Sequence, residues 1–163
     1  MRLFLFSIAT AMAFMAVQPL SAQTPGIYNN PGPVISGSVQ IERVPKTARD
    51  FINKHFRNAV VVKCEEDFMP QEYEIELSDG TDLEFDDKGQ WIEIDAGKAR
   101  VLPGHLVKKL LPRRAHDELS RRNVLGAVET LKRGKAGYKV ELRGVELDDY
   151  KFDRDGKLLS ISD

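Results

Sequence analysis

Along residues 46–56 the positions Ala48, Phe51, Ile52, His55 and Phe56 recur at intervals of three and four, with Arg49, Asp50, Asn53 and Lys54 between them. That spacing puts one stripe on an amphipathic helix. Pro45 starts it, because its fixed φ suits the entry to a first turn. The period then changes to two: residues 60–64, 73–77, 83–85 and 92–94 alternate apolar side chains with mostly Glu, Asp or Lys, as half-buried strands do. Burying Phe51, Ile52 and Phe56 contributes roughly 1.5–3 kcal/mol each, so the helix is expected to lie on the sheet. A two-residue Asp79-Gly80 turn would set Leu77 opposite Asp82, whereas a three-residue Ser78-Asp79-Gly80 loop pairs Ile75 with Leu83 and Tyr73 with Phe85. We expect the longer loop, with Gly80, Gly89 and Gly156 in the left-handed region.

The same pattern then recurs. Val44-Pro45 returns as Leu111-Pro112, Tyr73-Glu74-Ile75-Glu76-Leu77 as Tyr138-Lys139-Val140-Glu141-Leu142, and Phe85-Asp86-Asp87-Lys88-Gly89 as Phe152-Asp153-Arg154-Asp155-Gly156. This predicts two units, 44–96 and 111–163, joined by a linker over 97–110. Within the linker, 103–110 reads as a short helix stopped by Pro112. The second unit's long helix is more charged, with Arg114 and Glu118, Asp117 and Arg121, and Glu118 and Arg122 spaced for i,i+4 pairs. Ala115, Leu119 and His116 are its inward candidates.

Arg2, the apolar run 3–17 and the exit Pro19-Leu20-Ser21-Ala22 read as a secretory signal peptide, 1–22, cleaved near Ala22. The run is shorter than the roughly 20 residues a bilayer core needs, so the mature chain is expected to lack a transmembrane segment. No cysteine follows the cut to accept a lipid. Residues 23–43 hold three prolines, three glycines and two charges, which predicts a flexible leader. The expected location is periplasmic or secreted, from a bacterium.

Taken in order, the Val44-Pro45 helix, Tyr73-Glu74-Ile75-Glu76-Leu77-Ser78-Asp79-Gly80, Leu83-Glu84-Phe85-Asp86, Gly89-Gln90-Trp91, Ile94-Asp95, and the link from Leu102-Pro103 to Leu111-Pro112 form one series. It resembles the PepSY-like, beta-lactamase-inhibitor-like (BLIP-like) proteins exported by bacteria, over about 120 residues. The resemblance implies an α+β fold of two tandem helix-plus-four-strand antiparallel units, with sheets joined and helices on one face. The second unit departs from it by placing Glu118 and Asn123 at aromatic helix positions and Leu158 where the first has Trp91.

Chemistry changes this picture little. The 163 residues carry 24 Lys+Arg against 25 Asp+Glu and a single cysteine, which excludes an intrachain disulfide framework. There is no phosphate loop, no zinc-protease motif, no Cys-x-x-Cys and no nucleophile elbow, so no catalytic residue, metal or cofactor is expected. Cys64, on one strand face with Val60 and Val62, is expected to be a buried inert thiol. His55 is expected to be a packed helix residue. The paired carboxylates at Asp86-Asp87 and Asp153-Asp155 lack the later ligands of a calcium loop and read as plain hairpin turns.

Charge placement is more informative. Residues 44–96 hold 6 basic and 14 acidic side chains, whereas 97–143 hold 13 and 4. The strand period puts Glu72, Glu74, Glu76, Asp82, Glu84, Glu93 and Asp95 on the face away from the helix, together with Trp91, and the matching face of the second unit offers Lys139, Glu141 and Arg143. The candidate partner-binding set is Glu72, Glu74, Glu76, Glu84, Trp91, Glu93, Lys139 and Arg143, an aromatic anchor amid charges. The expected function is a non-enzymatic binding or inhibitor-like module for an exported protein or envelope component; the alternative is an envelope sensor or small-ligand carrier. Nucleic acid is set aside, because the aromatics sit among carboxylates. Lys98, Arg100, Lys108, Lys109, Arg113 and Arg114 suit anionic envelope surfaces.

Overall fold

The computed structural model describes residues 40–68, 71–98 and 100–163; the expected signal peptide and leader residues 23–39 lie outside the described residues. The end of the expected leader is structured. A 3-10 turn, Ile41–Arg43, buries Ile41, and the Arg43 guanidinium meets Glu66 Oε2 at 3.0 Å.

Among the described residues three α-helices and eight strands follow in the order α1 (Lys46–His55), β1 (Val61–Phe68), β2 (Gln71–Leu77), β3 (Asp82–Asp86), β4 (Trp91–Asp95), α2 (Gly104–Leu110), α3 (Arg113–Arg121), β5 (Val128–Arg133), β6 (Gly137–Leu142), β7 (Asp149–Asp153) and β8 (Leu158–Ser162). Each helix is entered from a proline, at Pro45, Pro103 and Pro112, with φ between −51° and −58°. Proline lacks a backbone N–H, which costs nothing at a helix start because a donor there would find no partner within the helix. The proline carbonyl takes the first-turn donors instead, from Ala48 at 3.0 Å, from Leu106 at 2.8 Å and from His116 at 3.1 Å.

The strands form one antiparallel sheet in sequence order, β1 to β8. The Ser78-Asp79-Gly80 loop has the expected length: Ile75 pairs with Leu83 and Tyr73 with Phe85, and Gly80 sits at φ +83°. Because cross-strand partners share a face, one apolar rank crosses the whole sheet: Cys64, Ile75, Leu83, Ile94, Leu131, Val140, Tyr150 and Ile161. Ala48 and Ile52 of α1, Leu106 and Val107 of α2, and Ala115 and Leu119 of α3 join that rank in a single core and are at most 2 % exposed. Phe51 is only half-buried, its ring set edge-on to Phe85 at 5.7 Å.

Two glycines fix how the helices seat. A Cβ on Gly89 would come within 2.8 Å of the Ala48 nitrogen and of Pro45 Cβ, and one on Gly156 within 2.7 Å of the Ala115 nitrogen and 2.8 Å of Pro112 Cβ. The β3–β4 turn therefore abuts the start of α1 as the β7–β8 turn abuts the start of α3, with no room for a side chain.

Four bulges break the strand period, at Val62, Ile92, Glu129 and Leu159. An extra residue reverses the side on which the following residues point. Here the expectation for β1 is corrected: Val60 and Val62 do not share a face with Cys64 but are 38 % and 46 % exposed, while Cys64 and Val61 turn to the core. Of the expected α3 ion pairs Glu118–Arg122 forms, while Asp117 and Arg121 take other partners. Glu118 takes both Arg121 (2.6 Å) and Arg122 (2.7 Å), and Asp117 pairs with Arg113 (3.5 Å). One carboxylate accepts guanidinium groups from both i+3 and i+4, both within reach on a helix surface.

Candidate functional site

The helices cover one face of the sheet and leave the other open. On the open face the cross-strand register lines up a charged rank parallel to the apolar one: Glu65, Glu74, Glu84 and Glu93, continued by Lys132, Lys139 and Lys151. A second rank runs Lys63, Glu76, Asp82, Asp95, Thr130, Glu141 and Asp149. Directly opposed residues have Cβ atoms roughly 4.5–5.5 Å apart, so like charges so placed repel.

Across β1–β4 these ranks enclose a shallow depression of about 330 Å³, lined by Glu74, Glu76, Asp82, Glu84, Glu93 and Asp95, with Lys63 at its side. The crowding is felt in proton affinity. Burial, then Glu93, Glu74 and Glu72, push the Glu84 carboxyl above its ordinary value against the pull of Lys132. Burial, then Glu76 and Asp95, raise Asp82 likewise. Both shifts mark carboxylates whose charged form is disfavoured where it stands. Asp95 is the best satisfied, accepting from the Gly97 N–H and the Thr130 hydroxyl at 2.6 Å each.

Across β5–β8 the facing lysines are partly offset by acids of the neighbouring rank, which lie diagonal to them. Lys139 meets Asp149 at 2.8 Å and Glu141 at 2.9 Å, and Lys132 meets Glu93 at 2.8 Å. Hydrogen bonds to Asp149 and then Glu141 hold the Lys139 ammonium well above the usual lysine range.

The structure thus brings together Glu74, Glu76, Glu84 and Glu93, with Glu72 on the same side of β2 opposite Asp86. It sets Lys139 apart in its own ion-pair network and Arg143 farther off, past the end of β6, where it pairs with Glu129 and donates to the Arg100 carbonyl. Trp91 is a correction. It is 7 % exposed, lies opposite Phe85 on the helix side, and packs with Tyr138 at 6.3 Å while the Arg133 guanidinium covers its ring at 4.8 Å. The bulge at Ile92 turns it there. The sequence signal is the apolar doublet Trp91-Ile92, which strict alternation forbids and which recurs as Leu158-Leu159. Lys132, which meets Glu93 across the β4–β5 junction, has no local signal, because those strands are separated by two helices.

Other candidates resolve structurally. Cys64 is buried, and burial followed by Glu66, Glu65 and Glu42 pushes its thiol up to about 12, so thiolate chemistry is suppressed. The Asp86 carboxylate accepts from the Lys88 and Gln90 N–H groups at 3.0 and 2.7 Å, and Asp153 from Asp155 and Lys157 at 3.0 and 2.8 Å, each closing its own turn. Among the described residues no group of three or more His, Cys, Asp or Glu is placed to hold a metal ion, and no helix is long and apolar enough to cross a membrane.

Comparison with known proteins agrees with the architecture. The family model "Putative beta-lactamase-inhibitor-like, PepSY-like" matches residues 35–79 and 71–160, most of the chain. The chain belongs to the PepSY-like family. Among solved structures it is similar to a "putative periplasmic protein of unknown function" from Bacteroides vulgatus, with 31 % identity over 76 % of this chain and 94 % of that one and a TM-score of 0.63. It is also similar to a "putative calcium-regulated periplasmic protein" from Bacteroides thetaiotaomicron, with 29 % identity, coverage of 77 % and 95 %, and a TM-score of 0.64. A further "putative periplasmic protein" from Bacteroides vulgatus shares 26 % identity with the same coverage and a TM-score of 0.62. No functionally curated protein matches the chain. None of these descriptions names a catalytic role.

Proposed function

We propose that this PepSY-like chain is an exported, non-enzymatic binding module built from two helix-plus-four-strand units, and that the acidic half of its open sheet face takes a basic segment of an extracytoplasmic protein. The observation that carries this reading is the rank Glu65–Glu74–Glu84–Glu93. Like charges set directly opposite on neighbouring strands cost roughly 0.2–1 kcal/mol per pair; on β5–β8 the facing lysines Lys132 and Lys139 have Glu141 and Asp149 diagonal to them, whereas Glu74 and Glu84, in the middle of the acidic rank, make no ion pair among the described residues. A surface that keeps such repulsion gains when cations from another molecule cover it. Export is supported by the charged start, apolar run and small-residue exit of residues 1–22 and by the periplasmic descriptions of the neighbours.

With Trp91 in the core, the face has no aromatic anchor among the described residues, so recognition there is electrostatic and salt-sensitive. The carrier alternative needs space beneath the helices, where Ala48, Ile52, Phe85, Val107 and Leu119 are each fully buried. The test is affinity capture from a native envelope fraction, comparing the wild-type chain with a Glu74→Gln, Glu84→Gln variant. A basic protein retained by the wild type, released by 0.5 M salt and lost with the variant supports the reading. Identical capture by both chains overturns it.

A further inference from the structure

The helix side carries a second, oppositely charged feature. Where the end of α1 approaches the start of α2, a cleft of about 160 Å³ opens, with His55, Arg57, Asn58, Arg100 and His105 among its lining side chains. These come from three separate stretches of chain: the end of α1 and the turn after it, the segment following β4, and the first turn of α2. Val101, 40 % exposed, and Leu106 supply an apolar wall.

The one carboxylate in the lining is already matched. Asp79 Oδ1 accepts from the Thr81 N–H at 3.0 Å, its other oxygen faces Arg100 at 3.7 Å, and its carbonyl also accepts from Arg100. Arg57, in contrast, makes no ion pair or side-chain hydrogen bond among the described residues. The surroundings of His55 register the excess of positive charge. Burial, then Lys109, Lys54 and His105, hold its imidazole below the ordinary value, while the Phe51 ring lies against it at 4.6 Å. Two of those groups, Lys109 and His105, reach it from α2, and Lys54 from α1 itself. A concave, partly apolar site where cations converge and the only acid is neutralised suits an anion, which desolvates at least cost where donors already point inward.

We propose that this cleft binds a small oxyanion, a phosphate or carboxylate group, with Arg57 and the imidazoles of His55 and His105 as its donors. An anion there favours the protonated imidazole, so affinity falls as pH rises through the His55 titration, and the Arg57 guanidinium holds what remains. The site lies on the helix side, away from the acidic sheet face, so its failure leaves the proposed function untouched.

The probe is inorganic phosphate, titrated into the full mature chain at constant ionic strength while the imidazole resonances are followed by NMR. We expect saturable shifts of His55 and His105 at pH 6, with a Kd on the order of 1 mM, a rise in the His55 pKa, and several-fold weaker binding at pH 8. Arg57→Gln, at an exposed position where folding is not at risk, is expected to weaken binding roughly 5- to 10-fold. Absence of saturation, or an Arg57→Gln variant that binds as well as the wild type, overturns the proposal. So does binding to phosphatidylglycerol vesicles without any response to free phosphate, because that would assign the attraction to the exposed Lys108, Lys109 and Arg114 on the helix surface.

Discussion

The two halves of the open sheet face use similar backbone ladders to opposite electrostatic ends. Across β5–β8, Lys139 sits between Glu141 and Asp149 at 2.9 and 2.8 Å and the charges close on one another. Across β1–β4, Glu74, Glu84 and Glu93 stand directly opposite each other, and the cations beside them are Lys63 at one side and Lys132 at the far junction. The backbone therefore dictates where charges stand but not whether they are compensated. That is decided by the residue chosen at each open-face position, independently of the core rank on the other side. Such independence lets one face vary in partner while the other keeps the fold.

The largest test of the comparison addresses the shared part. Phe85 and Phe152 are 0 % and 1 % exposed under their helices, and replacing either with alanine is expected to remove about 3–5 kcal/mol in urea unfolding. Nearly equal losses are expected; a loss confined to one half would show that the two cores are not equivalent. The turn glycines come next. Gly89→Ala and Gly156→Ala each force a Cβ against backbone at 2.7–2.8 Å from a residue at φ +74° or +80°, and each is expected to cost about 1–3 kcal/mol. Thermal melts of the two variants side by side check whether both helices are seated as tightly.

Smaller effects separate the halves. Glu84→Gln relieves repulsion and is expected to raise stability by about 0.5 kcal/mol, while Lys139→Gln is expected to lower it, because it takes the ammonium from Asp149 and leaves Glu141 only the more distant Lys132. Shifts of the same sign would break the contrast. The pH dependence has its own direction in each half. Asp82 and Glu84 have raised values in the folded chain, so the native state holds their protons more tightly. Their contribution is present below the unfolded carboxyl values, 3.8 and 4.5, and fades as pH climbs through the raised ones. Lys139, also raised, contributes fully below 10.5 and fades only above it. Melting curves of wild type against Asp82→Asn, Glu84→Gln should therefore separate as pH rises just above 4 to 5 and keep that separation up to pH 10; a separation that opens only at the alkaline end would sink this assignment.

How far the sequence could be read follows from the range of each signal. Ile75 opposite Leu83 was legible because a three-residue loop ties those strands together, and the α1 stripe because its period is local. The inward turn of Trp91 was not, since one inserted residue, Ile92, reverses the parity on which the reading relied. Val62 shows the same effect at the other end of the first four strands. The union of Glu93 with Lys132 depended on how β4 meets β5, which no turn sets, so the change from acidic to basic along a single rank became visible only in three dimensions.

The strictly sequential order of the strands, β1 through β8, has a mechanical corollary. Tension applied to the two ends of the chain loads the outermost ladders first and peels them one hydrogen bond at a time, as a zipper opens, instead of shearing many at once. A tethered molecule of this kind is expected to yield at low force from its margins inward, with the β4–β5 junction among the last to part.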